Sequence, residues 1–232
     1  MYCCWSAESE QVGHLTETME VPFDGRFQDG LEHCTMDKGL PVLVDGPTEP
    51  KTTYLSSELA EPFEVTLKKA TPTTPFGWRV DFLDKEALFV CSLVADPATV
   101  VSRYNSSAPP EARIQEGDFI VSVNRTVRDS MAMASMLKEH PTVEVLIQRP
   151  LKFRIKLDKH GESIGLDLKF GLSGNSLLVE GIREGAVRSR ARQMRVGDRI
   201  VSVCGVTGNS SQLLKAMQEH DPLQIDCVRL WG

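Results

Sequence analysis

This sequence of 232 residues contains no apolar run that approaches the roughly 20 residues needed to cross a bilayer as a helix. Its first residues lack both the basic region and the apolar region of a secretory signal. Hydrophobic residues make up 41% of the chain and charged residues 25%, which is ordinary for a soluble globular protein. We therefore predict a cytoplasmic protein, with any membrane association restricted to the membrane surface.

The six cysteines do not form a pattern typical of disulfides or of a zinc site. Cys91 and Cys227 stand inside apolar, strand-like runs, where a reduced cysteine acts as a small hydrophobic residue. Cys3 and Cys4 form the one close pair, and no histidine or second pair completes a zinc site. We expect reduced thiols, with S-acylation of Cys3 and Cys4 as an alternative that would anchor the chain to a membrane.

Basic residues are scarce at the start of the chain. Residues 1–60 carry eleven acidic side chains against three basic ones, with little hydrophobic periodicity. We expect a largely disordered extension here, in which 41–44 is a candidate short strand, because so polar a segment buries too little apolar surface to offset ordering entropy. The formal net charge of −6 also argues against a nucleic-acid partner, which would require a basic face.

The sequence also lacks a recognisable catalytic constellation. Of its five histidines, His14 and His33 fall in the extension, His160 in a turn, and His140 and His220 directly after predicted helices. No serine stands in a Gly-x-Ser-x-Gly motif. We expect no enzymatic activity, no metal and no cofactor.

The most informative feature that is present is an internal repeat. Gly-Asp-Phe-Ile-Val-Ser-Val at 117–123 returns as Gly-Asp-Arg-Ile-Val-Ser-Val at 197–203, and the offset of 80 residues holds to the end of the second copy. This period is too long for a solenoid unit and suits a small domain with its own core. We predict two domains, 61–149 and 150–232, which contact each other because Pro150 is nearly the whole linker.

Both copies show the same predicted order of elements, in an α+β arrangement that is mainly β. The first copy has predicted strands at 63–67, 76–82, 87–93, 119–123 and 143–147, and helices at 97–104 and 130–139. The second copy has predicted strands at 153–157, 164–168, 176–182, 200–203 and 223–228, and helices at 185–194 and 210–219.

Each copy resembles a PDZ domain in this order of elements and in two motifs. In the second copy, Ser163-Ile164-Gly165-Leu166 stands where the family has its Gly-Leu-Gly-Phe loop, and 195–200 is very like the family's most recognisable stretch. The first copy departs more, with Pro75-Phe76-Gly77-Trp78 in the loop. The resemblance implies two tandem, partly open antiparallel β-barrels or sandwiches, each with two helices, after a mostly irregular N-terminal extension.

The resemblance further implies a non-enzymatic scaffold that binds the C-terminal tails of other proteins, membrane proteins among them. In the family, an extended peptide adds to the second strand beside the second helix, and its carboxylate enters the glycine loop. By position, the carboxylate loops are Phe76, Gly77 and Trp78 in the first copy, and Ile164, Gly165 and Leu166 in the second. The grooves comprise Val80, Ser130, Ala134 and Leu137, and, in the second copy, Leu168, Ser210, Leu214 and Met217.

Several of these positions also have a purely structural interpretation. Ser130 and Ser210 begin the groove helices, where the family distinguishes classes of peptide, but serine is equally a good N-cap. Trp78 either stacks on a ligand or narrows the first groove, so the second copy is the stronger candidate for binding. Basic residues that stand upstream of the loops, either to assist a carboxylate or simply as solvated side chains, are Lys68, Lys69 and Lys159.

Arginines cluster around the short helix of the second copy, where residues 151–232 carry thirteen basic side chains against nine acidic ones. A solvated helix face is one interpretation, and contact with anionic lipid headgroups is another. A third is that the acidic extension folds back onto the cluster. The alternative function is therefore a peripheral membrane adaptor with degenerate peptide grooves, using Arg188, Arg190, Arg192 and Arg195.

Overall fold

The structure is a computed structural model that describes residues 12–15, 52–55, 60–171 and 174–230, with the backbone alone for 12–15. Its strands are β1 (Val12–Leu15), β2 (Thr52–Tyr54), β3 (Phe63–Lys68), β4 (Trp78–Asp81), β5 (Leu88–Leu93), β6 (Phe119–Val123), β7 (Thr126–Val127), β8 (Thr142–Gln148), β9 (Leu151–Leu157), β10 (Leu166–Gly171), β11 (Leu177–Ile182), β12 (Arg199–Val203) and β13 (Leu223–Arg229). The α-helices are α1 (Val100–Ser107), α2 (Ser130–Glu139), α3 (Ala186–Arg190) and α4 (Ser210–Glu219).

The first domain is a sheet of antiparallel strands in the order β3-β8-β6-β5-β4, with the short β7 paired to β6. Alternation along β3 turns Val65 and Leu67 into the core, while the residues between them stay exposed. Helices α1 and α2 cover this core through Val101, Met133 and Leu137. The predicted order of elements in the first copy is confirmed.

The second domain repeats that arrangement, with two additional strands. Its sheet has the order β1-β10-β11-β12-β13-β9-β2, and α3 and α4 pack on its core. The strands β1 and β2 come from the N-terminal extension, which we predicted to be largely disordered, and they lie at the two edges of the second domain's sheet. The predicted strand at 41–44 lies outside the described residues.

The groove helices have the predicted bounds, but their N-caps lie one residue before the serines. The N-caps are Asp129, which accepts a hydrogen bond from the amide of Ala132, and Asn209, which forms a capping box with Gln212. Ser130 and Ser210 are therefore the first residues inside the helices, and the interpretation of these serines as N-caps is wrong. Asp129 and Asn209 are the N-caps because they directly precede the first helical residues, and aspartate and asparagine are both preferred at that position.

The two domains contact each other through the outer faces of β5 and β6 on one side and of β12 and β13 on the other. A shared apolar cluster contains Phe89, Phe119, Val121, Val228 and Leu230. Strand β5 is buried along most of its length, because its inner face packs on its own core and its outer face packs on the second domain. The prediction that the domains touch is confirmed.

An ion pair lies within this contact. Arg199 is fully buried, and its two terminal nitrogens donate to the two carboxylate oxygens of Asp81, each at 2.8 Å. The guanidinium also lies 4.5 Å from the centre of the Phe89 ring and 5.8 Å from that of Phe119. Phe119 and Arg199 occupy the same position in the two copies of the repeat, so equivalent residues meet across the interface.

The aspartates of the Gly-Asp motifs have different environments in the two domains. Asp198 is fully buried and accepts two hydrogen bonds from the guanidinium of Arg229, at 2.6 and 2.9 Å. Asp118 is also buried, but it accepts a hydrogen bond from the amide of Gln115, at 2.8 Å, and Arg149 donates to backbone carbonyls instead. Burial therefore raises the pKa of Asp118 to about 6.

We expect Asp118→Asn to stabilise the chain by about 1–3 kcal/mol at pH 7.5 and to have little effect near pH 4. Because the folded-state pKa is raised above the unfolded value, the unfolded state binds fewer protons between these two pKa values. The free energy of unfolding therefore falls as the pH rises from about 4 to about 6, and at pH 7.5 the ionised Asp118 lowers it by the full amount. Urea unfolding of the variant and the natural chain at both pH values measures the effect.

Asp198→Asn is the matched control for this prediction. It removes the charge that pairs with Arg229, so it should destabilise the chain at pH 7.5, the opposite sign to Asp118→Asn. If Asp118→Asn were neutral or destabilising at pH 7.5 and showed no difference from pH 4, the buried carboxyl would not be ionising against a desolvation cost.

Candidate functional site

The two glycine loops have the same backbone geometry. Gly77 has a φ of +87° and Gly165 a φ of +75°, in the region that favours glycine. The loop carbonyls are held by the following short helix: the amide of Val101 donates to Phe76 at 2.8 Å, and the amide of Val187 donates to Ile164 at 3.1 Å. Each loop is therefore fixed against the start of a helix.

The loop amides are the groups that a carboxylate would meet. Among the described residues, the amides of Phe76, Gly77, Ile164 and Gly165 donate no hydrogen bond. Successive unpaired N–H groups at a turn with positive φ form a concave anion site. Both loops therefore have two adjacent amides without an acceptor among the described residues.

A side chain at either glycine would disrupt its loop. A Cβ on Gly77 would lie 2.3 Å from the Cβ of Thr99, which is the N-cap of α1. A Cβ on Gly165 would lie 2.7 Å from the carbonyl oxygen of Glu184. The loops therefore need glycine both for the backbone angle and for the close approach of the following segment.

The strand that follows each loop is at or near the edge of its sheet. Strand β4 pairs with β5 and has no second partner among the described residues, so its other edge lies open. Residues 79–81 line a cavity together with Ser130 and Met131, which places the start of α2 beside this strand. Strand β10 pairs with β11 and, at its other edge, with β1. The two grooves therefore differ: the edge of β10 is already covered by a strand of the same chain.

The predicted groove residues divide between the core and the groove surface. Leu137 and Met217 are buried in the domain cores, while Ala134 and Leu214 are half-buried and pack against them. The remaining predicted groove positions on the strands are Val80, which is half-buried, and Leu168, which is buried.

The aromatic loop of the first copy has its own internal packing. The rings of Phe76 and Trp78 stack with their centroids 5.6 Å apart, and the half-buried Trp78 packs against the domain core. In the second copy the corresponding Ile164 and Leu166 are also half-buried against the core. Trp78 thus belongs to the wall of the first groove rather than projecting freely from it.

The first residues of the groove helices have different partners. The Ser210 hydroxyl donates at 3.0 Å to the carbonyls of Gly171 and Gly174, which joins α4 to the end of β10. The buried Ser130 hydroxyl has no hydrogen bond among the described residues and lies in the wall of a cavity. Ser130 therefore lines the cavity, whereas the Ser210 hydroxyl is hydrogen-bonded within the fold.

The lysines upstream of the loops support the groove helices. Lys69 donates to the carbonyl of Leu137 at 3.3 Å, and Lys159 donates to that of Met217, also at 3.3 Å. A cation near the last carbonyls of a helix interacts favourably with the helix dipole. Burial lowers the pKa of Lys69. Lys68, by contrast, is exposed.

A cavity of about 250 Å³ lies at the end of the first groove that is distant from the glycine loop. It is lined from the first domain by Arg79, Asp81 and Ser130, and from the second by Lys169 and Gly171. Lys169 donates to the carbonyl of Leu83 at 3.0 Å, which bridges the domains. The first groove therefore ends against the second domain, a feature that the sequence pattern did not reveal.

The arginine cluster is partly neutralised by neighbouring acids. Arg190 pairs with Glu162, and Arg188 lies 3.2 Å from Glu184. Arg192 and Arg195 are exposed and form no ion pair within the described part of the chain. None of the helices in the described part of the chain is long and apolar enough to cross a membrane.

Comparison with known proteins gives only distant similarity. No family model matches the sequence, and no curated protein matches it. The structure of INAD PDZ45 in complex with an NG2 peptide is 16% identical and has a TM-score of 0.31, with 75% of this chain and 92% of that chain covered. The complex of INAD PDZ45 with NORPA CC-PBM is 15% identical and has a TM-score of 0.33, with 74% and 93% covered.

The class of the protein follows from its own topology: each domain has five main antiparallel strands, a short helix after the third and a longer helix before the last. Together with the glycine loops, this order defines two PDZ-like domains arranged in tandem.

Proposed function

We propose that this chain is a non-enzymatic scaffold that binds the C-terminal tails of partner proteins by β-strand addition. The observation that carries the proposal is the first groove, where the open edge of β4 lies beside α2 and ends at the unpaired amides of Phe76 and Gly77. An extended peptide would satisfy the edge of β4, and its carboxylate would accept from the loop amides.

The second groove supports the same binding mode. Strand β10 accepts an antiparallel strand at the edge next to its glycine loop, in the register Leu168 opposite Leu15. The edge that would bind a peptide is thus compatible with strand addition in this fold. Two such sites would increase the overall affinity for a partner that presents two tails.

The decisive test is a screen of C-terminal decapeptides against the full chain, with every hit made in free-carboxylate and C-terminally amidated forms. We expect dissociation constants in the micromolar range, about −8 kcal/mol, for free-carboxylate peptides. Amidation should weaken binding at least tenfold, because it removes the charge that the loop amides would bind. Fluorescence anisotropy with labelled peptides measures both affinities.

Equal binding of the free and amidated peptides would contradict the carboxylate mechanism. The peripheral membrane adaptor is the outcome to consider if no peptide binds. In that case the chain should bind vesicles that contain anionic lipid. Arg192→Glu with Arg195→Glu should abolish that binding, since within the described residues these arginines lack the acidic partners that Arg188 and Arg190 have.

A further inference from the structure

The N-terminal strand β1 lies on the second groove in the direction expected of a bound peptide. It pairs antiparallel with β10, with Val12 opposite Gly171 and Leu15 opposite Leu168. The chain therefore runs along the edge of β10 towards the loop at Gly165, as a C-terminal peptide would do under the proposed function.

The strands of the extension do not pair with the domain that follows them in the sequence. The extension directly precedes the first domain, yet β1 and β2 both join the sheet of the second. Strand β2 pairs with β9, with Thr52 opposite Ile155, and the amide of Leu55 donates to the carbonyl of Lys152 at 2.8 Å. The edge strand β4 of the first domain has no such partner among the described residues.

Charge is consistent with this choice of domain. Residues 8–20 contain four glutamates and no lysine or arginine, while the second domain has an excess of basic residues. The opposite charges of the segment and the second domain favour their association, and added salt weakens this attraction.

We propose that β1 is an internal ligand of the second groove, which any partner peptide must displace. This rests on the proposed function for the groove itself and adds the identity of its resident occupant. Leu15 is followed by further chain, so β1 occupies the edge as an internal segment without a terminal carboxylate. The second groove therefore takes internal extended segments, and the first groove is the one that is open to partners in the resting chain.

The covalent connection makes β1 an effective competitor. A segment tethered to the domain that it occupies acts at an effective concentration of the order of millimolar, set by the length of the tether. A partner peptide that binds the edge alone with micromolar affinity would thus be weakened by roughly tenfold or more in the natural chain. The expected consequence is a second site that responds only to a strong or locally concentrated partner.

The test replaces Gly13 and His14 with proline in the full chain. Adjacent residues of a strand direct their N–H groups to opposite sides, so one of the two prolines removes a ladder hydrogen bond in either alignment. The control, Asp29→Pro with Gly30→Pro, places the same two prolines elsewhere in the extension. Hydrogen exchange of β10, residues 166–171, should be at least tenfold faster in Gly13→Pro/His14→Pro and unchanged in the control.

A binding experiment gives an independent measure. The probe is a fluorescein-labelled peptide with the sequence of residues 8–19, added to the full chain. It should bind Gly13→Pro/His14→Pro at least tenfold more tightly than the natural chain or the control. The difference should shrink if the same measurement is made on a chain that also carries Gly165→Val, which obstructs the glycine loop directly before β10.

The results separate this inference from the proposed function. Unchanged exchange of β10, or equal binding of the probe to all three chains, would overturn the internal ligand. Faster exchange together with a failure of every C-terminal peptide to bind would support β1 as an occupant and refute the peptide-binding scaffold. Carboxylate-dependent binding at the first groove with unchanged exchange at β10 would do the reverse.

Discussion

Replacement of Asp81 by alanine is expected to lower the free energy of unfolding by about 3–5 kcal/mol, because it leaves a buried arginine without its charge partner. Arg199 has no exposed side-chain surface, and both of its hydrogen bonds to Asp81 cross the domain interface. Among the residues that the structure describes, only Ser176, at 3.2 Å, would remain as an acceptor for this guanidinium. Chemical denaturation monitored by tryptophan fluorescence measures the loss.

The same experiment tells whether the two domains unfold together. Removal of Asp81 should separate one cooperative transition into two, since the pair and the aromatic rings around it connect the domains. Asp81→Ala combined with Arg199→Leu should recover most of the stability, because an apolar side chain suits the space beside Phe89 and Phe119.

Asp226→Ala is the matched control, since Asp226 pairs with Arg154 within one domain and both side chains are more exposed. It should cost much less and leave the number of transitions unchanged. A loss of less than about 1 kcal/mol for Asp81→Ala would show that the buried pair does not hold the domains together.

Replacement of Gly77 by alanine should reduce peptide affinity at the first groove by more than tenfold. The added Cβ would lie 2.3 Å from the Cβ of Thr99, and the alanine would have to adopt a φ of +87°. Either the loop or the start of α1 must shift, which moves the amides of Phe76 and Gly77 away from their common target. Anisotropy with a free-carboxylate peptide from the library screen measures the loss.

Gly117→Ala distinguishes this effect from simple destabilisation. Gly117 has nearly the same backbone angle, +90°, but a Cβ there would meet no atom within 4 Å, and the residue lies outside the groove. It should cost similar backbone strain, of the order of 1 kcal/mol, without loss of affinity. Equal affinities for the two variants would place the carboxylate somewhere other than this loop.

The parts of the fold that the sequence predicted best are those with strong local signals. The groove helices at 130–139 and 210–219 have the predicted bounds, because Asp129 and Asn209 cap their first turns and each ends near a proline. The second short helix is shorter than predicted and ends at Arg190, since the next residue, Ala191, leaves the helical region with a ψ of +50°.

The glycine loops were also predictable. A glycine between two apolar residues indicates a special backbone angle, and both Gly77 and Gly165 have it. The internal repeat also indicated the order of elements in the more divergent copy, but the prediction of its short helix at 97–104 was wrong, because Thr99 is the N-cap and the helix spans Val100–Ser107. The differing roles of Ser130 and Ser210 were not predictable, because the partners of Ser210 are carbonyls that lie far from it in the sequence.

The strands β1 and β2 have no local signal that distinguishes them from the rest of the extension. Their backbone hydrogen bonds are completed by β10 and β9, which lie about 100 residues or more away in the sequence. A segment of three or four residues has no stable strand conformation by itself. Pairing with an existing edge is therefore a property of the folded second domain, and no pattern within the segment reports it.

The sequence by itself determined two repeated domains, their order of elements and the two glycine loops, because periodicity, caps and turns act over a few residues. Only the tertiary structure decided that Phe119 and Arg199, which share one position of the repeat, meet at the domain contact, with Arg199 paired to Asp81. It also decided which groove edge is open. Both outcomes depend on long-range contacts, where burial and charge pairing between distant segments outweigh local preference.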